Sequence, residues 1–292
     1  MINGGHIFEI KNQIKKADKI DLAILGSSST LFSISKEIIC NSMEIKPDNC
    51  IQAAMPGGTA VDSVVLSKTL LNNDHISIII FGFDNSMMNE KLANQLYYLG
   101  LSDFHLVEIP FGFNSDFFRF VGIRLSKIIE HQQDIKYNFF LIRQAVLAFF
   151  KGKQYSFPDN NISVYEYNRR RLEKKARMSN NLIKDEKNKH NFTELSEKGK
   201  MRIKGFINQK KNTGCKIIFV RIPMYSGISS NIEIDHWLKK QTNHQVYYLN
   251  PGQYLELQDH IDFYNGDHMS DIGRQKVSKL VADFIIKNKI IN

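Results

Sequence analysis

Residues 20–30 read IDLAILGSSST, an apolar run that ends abruptly at Gly26 and gives way to three serines and a threonine. A run of that length, apolar but for Asp21 and closed by a turn residue, reads as a strand covered on both faces. The serines after it suit the N-cap of a following helix, because a hydroxyl there accepts from an otherwise unpaired amide. A buried strand running straight into a helix is the opening unit of a parallel α/β sheet.

The unit recurs along the chain after residues 20–30. A helix is expected around residues 33–42 and a short strand at 51–54; residues 76–81 (ISIIIF) are the clearest central strand. Further strands are expected at 104–109, at 216–222, where Pro223 ends the run for want of an amide donor, and at 245–249. A last helix over 271–287 places Val277, Leu280, Val281 and Phe284 on one face at helical spacing. Between about residues 115 and 213 the alternation fails and charged helical patterns replace it, so this span reads as a helical insertion or lid interrupting one domain of residues 1–292. No internal repeat or low-complexity linker argues for a second domain.

The chain has 292 residues, 42% of them hydrophobic, enough for one large core. Its N-terminal residues MINGGHIFEIKNQIKKADK carry charges where a signal peptide has its apolar stretch, and no segment reaches the ~20 apolar residues of a membrane span. A soluble cytoplasmic protein is expected. Cys40, Cys50 and Cys215 form no C-x-x-C arrangement and are expected as free thiols. The net charge of +9 accompanies a sequence rich in Ile, Lys and Asn, and that compositional bias accounts for it. No helix-turn-helix pattern or aromatic-interleaved basic strand points to nucleic acid. The basic run Arg169, Arg170, Arg171, Lys174, Lys175, Arg177 reads as a solvated helix face or as a grip for an anionic glycan or membrane surface.

Four stretches carry chemistry. Gly26-Ser27-Ser28 stands where open α/β sheets place their ligands, at the carboxyl end of a strand. AAMPGGTA (53–60) follows a second strand, and the paired Gly57 and Gly58 either make a tight turn or expose amides able to bind an oxyanion. FGFDN (81–85) follows the central strand, where Asp84 and Asn85 serve as helix caps or as a side-chain donor. DFYNGDHMSDIG (262–273) precedes the last helix and offers His268 as a general base, with Asn265, Asp267, Asp262 and Asp271 as candidates to hold its second nitrogen. His260, Asp262, Asp267 and His268 include metal-ligand types, but their spacing matches no closed ligand set, and no metal or cofactor is called for.

Taken in order, these stretches resemble the SGNH (GDSL-like) hydrolase superfamily, whose blocks are a Gly-Asp-Ser, a glycine, a Gly-x-Asn-Asp and a C-terminal Asp-x-x-His. They are similar especially to its surface-glycan branch, the D-alanyl transfer protein of teichoic acids and the alginate-type O-acetyltransferases, where the first block often reads Gly-Ser-Ser. The matching parts are residues 20–90 and 214–288, with LGSSST and FYNGDHMSDIG the telling pieces. The resemblance implies a flavodoxin-like three-layer sandwich with a mostly parallel sheet. It makes Ser28 the nucleophile and His268 the base, with Asn265 where the family has its orienting aspartate and Asp267 as a neighbouring carboxylate. It assigns the oxyanion hole to the amides of Ser28 and Gly57 or Gly58 and to the side chain of Asn85, with Asp84 as the other candidate. The implied activity is serine-dependent acyl transfer on a carbohydrate or surface-glycan precursor, as esterase or O-acyltransferase. The altered third and fourth blocks also admit a silent member that binds a glycan or a partner protein.

Overall fold

The computed structural model describes residues 10, 13–14, 16–17, 19–54, 58, 60, 63–64, 67, 76–88, 169, 195–211, 213–226, 228 and 231–290. Five strands within them, β1 (Leu22–Leu25), β2 (Cys50–Gln52), β3 (Ile78–Phe83), β4 (Lys216–Arg221) and β5 (Val246–Leu249), form one sheet in the order β2-β1-β3-β4-β5. Every pairing is parallel. This is the flavodoxin-like order. The strand expected at 104–109 lies outside the described residues.

Alternation within the strands explains the three layers. Leu22, Ile24, Ile78, Ile80, Ile218 and Val220 face one side, where they meet Ile39 and Cys40 of α2 (Lys36–Ser42) and Val277, Val281 and Ile285 of α6 (Asp271–Lys287), the helix after the short α5 (Asp259–Asp262). Ala23, Leu25, Ile79, Phe81, Ile217 and Phe219 face the other, against Ile203 and Phe206 of α3 (Glu197–Lys210) and Ile234 and Leu238 of α4 (Ile232–Lys239). Each large apolar side chain withdrawn from water contributes roughly 1.5–3 kcal/mol, so a strand apolar at every position is stable only between two helical layers. Helix α3 falls at the end of the span expected as an insertion and packs on the common core; most of the rest of that span lies outside the described residues.

Two local readings change. The single helix expected at 33–42 is two, α1 (Ser28–Ser33) and α2, because Ile34 and Ser35 are extended and Ser35 Oγ starts a new helix by accepting from Ile38 N. Ser35 also donates its amide to Ser278 Oγ of α6 at 2.8 Å. That contact turns α6 so that Ser278, Ala282 and Ile285 are buried beside Val277 and Val281, while Leu280 and Phe284 are half-buried. The expectation of three free thiols is also corrected: Cys40 of α2 and Cys50 of β2 form a disulfide, and Cys215 alone is free. The pairing removes the thiol-based ground for a reducing compartment. Among the described residues no helix is long and apolar enough to cross a membrane.

Candidate active site

β1 and β3 are neighbours, but the chain leaves β1 for β2 on the opposite side. The crevice above their carboxyl ends is therefore the topological switch point, where such sheets bind ligands. Two glycines shape it. A Cβ on Gly26 would lie 2.1 Å from Thr30 Oγ1, and one on Gly82 would lie 2.3 Å from the same atom. Thr30 of α1 is thus wedged between the ends of β1 and β3, and only glycine at both positions lets the helix come so low. Gly26 also has φ +148, a backbone state costly for any residue with a Cβ.

Ser27 caps α1 by accepting from Ser29 N at 3.1 Å, and its hydroxyl donates to the Asp84 carboxylate. Ser28 opens the helix and is half-buried, so of this serine pair Ser28 is the more open. One turn on, the ring of Phe32 meets the His268 ring edge-on, with centroids 4.9 Å apart.

His268 stands on a tight hairpin closed by a bridge between Phe263 and Met269, with Tyr264 N donating to His268 O at 2.8 Å. Asn265 Oδ1 organises the loop, accepting from the amides of His268 at 2.8 Å and Asp267 at 3.2 Å. Facing two backbone donors, that atom must be the oxygen end of the amide. It also lies 2.9 Å from His268 Nδ1, so Nδ1 is the donor of that bond, and in the neutral ring the lone pair falls to Nε2. Asp267 Oδ1 is as near to Nδ1, at 2.8 Å, but away from the hydrogen-bond direction. Its other oxygen is 3.5 Å from Ser29 Oγ, so the hairpin and α1 meet a second time. Among the described residues no hydrogen bond joins Ser28 to His268.

The remaining expected residues fall as follows. Gly58 is buried, and Gly57 lies outside the described residues. Asp84 accepts from Ser27, from Ser86 N and Oγ at 2.6 Å each, and from Met87 N at 3.1 Å, which makes it an acceptor and a cap. Asn85 is fully buried; its Oδ1 accepts from Arg221 and from Asn231 N at 3.1 Å. Asp262 is engaged elsewhere through Oδ2, which binds Lys276 Nζ at 2.8 Å and accepts from Gln258 N at 2.7 Å. Its carbonyl lies where a Cβ on Gly273 would be, 2.3 Å away. Arg169 forms an ion pair with Asp271 at 3.7 Å, and the other basic residues of its run lie outside the described residues. Among the described residues no group of three or more His, Cys, Asp or Glu is placed to hold a metal ion.

Sequence reading missed Arg221, one of the largest fully buried side chains. Its Nε binds Asp235 Oδ1 at 2.9 Å, its Nη1 binds Phe83 O at 2.9 Å, and its Nη2 binds Asn85. Tyr248 donates to the same Asp235 oxygen at 2.8 Å, and burial followed by that bond holds its hydroxyl pKa well above the usual tyrosine range. A lone arginine inside the strand sequence KIIFVRI was the available signal, since a buried cation requires acceptors on every side.

No family model matches the chain, and no curated protein matches it. Among solved structures, one described as "a putative acylhydrolase" from Bacteroides fragilis NCTC 9343 is similar at 11% identity and a TM-score of 0.42. The alignment covers 95% of this chain and 94% of that one.

Proposed function

We propose that the protein is a serine acyl-transfer enzyme of SGNH type, acting on an O-acyl ester of a carbohydrate or surface-glycan precursor. One observation carries the reading: the imidazole of His268, its Nδ1 held by Asn265 and its ring against Phe32, lies beside the helix that begins at Ser28. An imidazole so held presents Nε2 as a base. Nε2 takes the Ser28 proton as Oγ attacks the acyl carbon, then returns that proton to the departing alcohol. The resulting acyl-enzyme passes its acyl group to water in an esterase, or to a sugar hydroxyl in an O-acyltransferase. The oxyanion meets the amides of Ser28 and of Gly57 or Gly58, with Asn85 as the side-chain donor; Arg221 fixes the oxygen end of that amide. An anionic glycan or membrane-bound substrate is the reading of the basic run from Arg169 to Arg177 as a grip. Reaction with a fluorophosphonate tests the chemistry: the wild type takes the label and Ser28→Ala does not, and equal labelling of both removes Ser28 from the nucleophile role.

A second reading is favoured by the state of the third block. Asp84 is an acceptor and Asn85 is fully buried, a poor arrangement for presenting a side-chain donor to substrate. A silent member would bind a glycan in the same crevice without hydrolysing it. Glycan binding that persists with no turnover of acetyl esters or acetylated sugars would select this reading.

A further inference from the structure

We propose that Asp267 supplies the negative charge for His268, while Asn265 supplies only direction, so that the work of one orienting aspartate is divided between two residues at the same nitrogen. The proposal rests on the acyl-transfer reading of Ser28 and His268. When His268 takes the serine proton it becomes a cation, and a neutral amide oxygen stabilises that cation less than a full charge does. Asn265 holds Nδ1 along the hydrogen-bond direction at 2.9 Å and also shapes the loop through two amides. Asp267 Oδ1 is 2.8 Å from the same Nδ1, and Asp267 is 3% exposed. Attraction at that separation depends on position rather than bond angle, and it is screened little where water is excluded. The groups facing His268 are Asn265 and Asp267 from its own hairpin and Phe32 from α1, with Ser29 reaching Asp267. Asp267 is therefore the one carboxylate among these neighbours within the described residues. Asp262, the other carboxylate before the histidine in the motif, is committed to Lys276.

The test is the rate of fluorophosphonate labelling at Ser28 in the wild type, Asp267→Asn, Asn265→Asp, the Asn265→Asp/Asp267→Asn double variant and His268→Ala, each checked by thermal melting. Asp267→Asn keeps the side-chain shape and should slow labelling about 100-fold; the loss stays below that of a triad whose orienting carboxylate is removed outright, because Asn265 still fixes the tautomer. Moving the charge to the other acceptor, in the double variant, should restore the rate to within about tenfold of wild type. No purely structural role for Asp267 predicts that rescue. Wild-type labelling by Asp267→Asn overturns the proposal, and so does a slow Asp267→Asn that the second substitution fails to rescue. Asn265→Asp alone keeps the question open to decision if Asp267→Asn does not fold: it should change the rate by less than about threefold, and a rise of tenfold or more shows that His268 lacked a charge. Full labelling of His268→Ala, or none of the wild type, removes the acyl-transfer reading itself and this proposal with it. Loss in His268→Ala beside an unaffected Asp267→Asn removes this proposal alone.

Discussion

The ring of His268 stands edge-on to the ring of Phe32, at 85° and 4.9 Å between centroids. Phe32 and Ser28 are four residues apart on α1 and so share one face of it, which puts the imidazole on the serine side of the helix. Phe32 is 1% exposed and belongs to the packing of the molecule as well as to the site. Replacing it with leucine keeps most of the apolar volume but loses the ring contact, at about 1–1.5 kcal/mol of stability. Urea denaturation reads that loss. Fluorophosphonate labelling of Ser28 should fall by more than the small destabilisation explains, because His268 loses the wall it leans on; an unchanged rate would show that Phe32 does not position the ring.

The wedge of Thr30 between Gly26 and Gly82 predicts two different outcomes from similar substitutions. Gly82→Ala drives a methyl group to 2.3 Å from Thr30 Oγ1 and 2.6 Å from Cγ2, an overpacking expected to cost about 1–3 kcal/mol. Thr30→Ala removes both atoms and should recover much of that loss. It should cost little by itself, since Thr30 Oγ1 has no hydrogen-bond partner among the described residues. Gly26→Ala should not be rescued in the same way, because its penalty includes a backbone at φ +148. Equal rescue at both glycines in melting experiments would refute the distinction.

The strands were legible because their residues are apolar at most positions, a pattern that a parallel sheet between helical layers explains. β3 begins at Ile78 and runs to Phe83, two residues later at each end than the pattern at 76–81 suggests, since the pairing with β4 continues through Gly82 and Phe83. The two ends of the candidate site were legible for a different reason: glycine, serine and histidine fall at strand or helix ends, where side chains meet solvent and ligands. The break at Ile34 and Ser35 was not legible, because it depends on Ser278, more than two hundred residues away. The Arg221 network was hidden likewise, its partners Asn85 and Asp235 being brought together only by the sheet order. Three cysteines in a sequence do not reveal which pair; the adjacency of α2 and β2 does.

The Cys40–Cys50 disulfide closes a loop of sequence separation 10, for which restriction of the unfolded chain gives about 2–3 kcal/mol of stability. Titration of thiols in unfolded, unreduced protein should find one reactive cysteine, Cys215, and reduction should raise the count to three. Reduction should also lower the urea midpoint. Three thiols before reduction would refute the pairing.

Cys215 gives the protein an alkaline weakness whose sign follows from its burial. Removal from water pushes its thiol up to about 11 from 9.0, with the lysines at 210 and 216 opposing the shift only in part. Below pH 9 the folded and unfolded thiols both keep their proton and the contribution is fully present. As pH rises from 9 towards 11 the unfolded chain releases the proton first, so the unfolded state gains and stability falls by about 2–3 kcal/mol. Tyr248, raised by burial and by its bond to Asp235, adds to the same decline from about pH 10, where the unfolded tyrosine starts to ionise, and carries it beyond the ordinary tyrosine range. Cys215→Ala should flatten the plot of unfolding free energy against pH between 9 and 11, whatever constant offset the lost sulfur introduces. Tyr248→Phe should leave the curve unchanged below pH 9 and make it shallower from about pH 10 upward, where the unfolded tyrosine starts to ionise. A Cys215→Ala curve running parallel to wild type across the interval would show that the thiol ionises as readily in the folded protein as in the unfolded one.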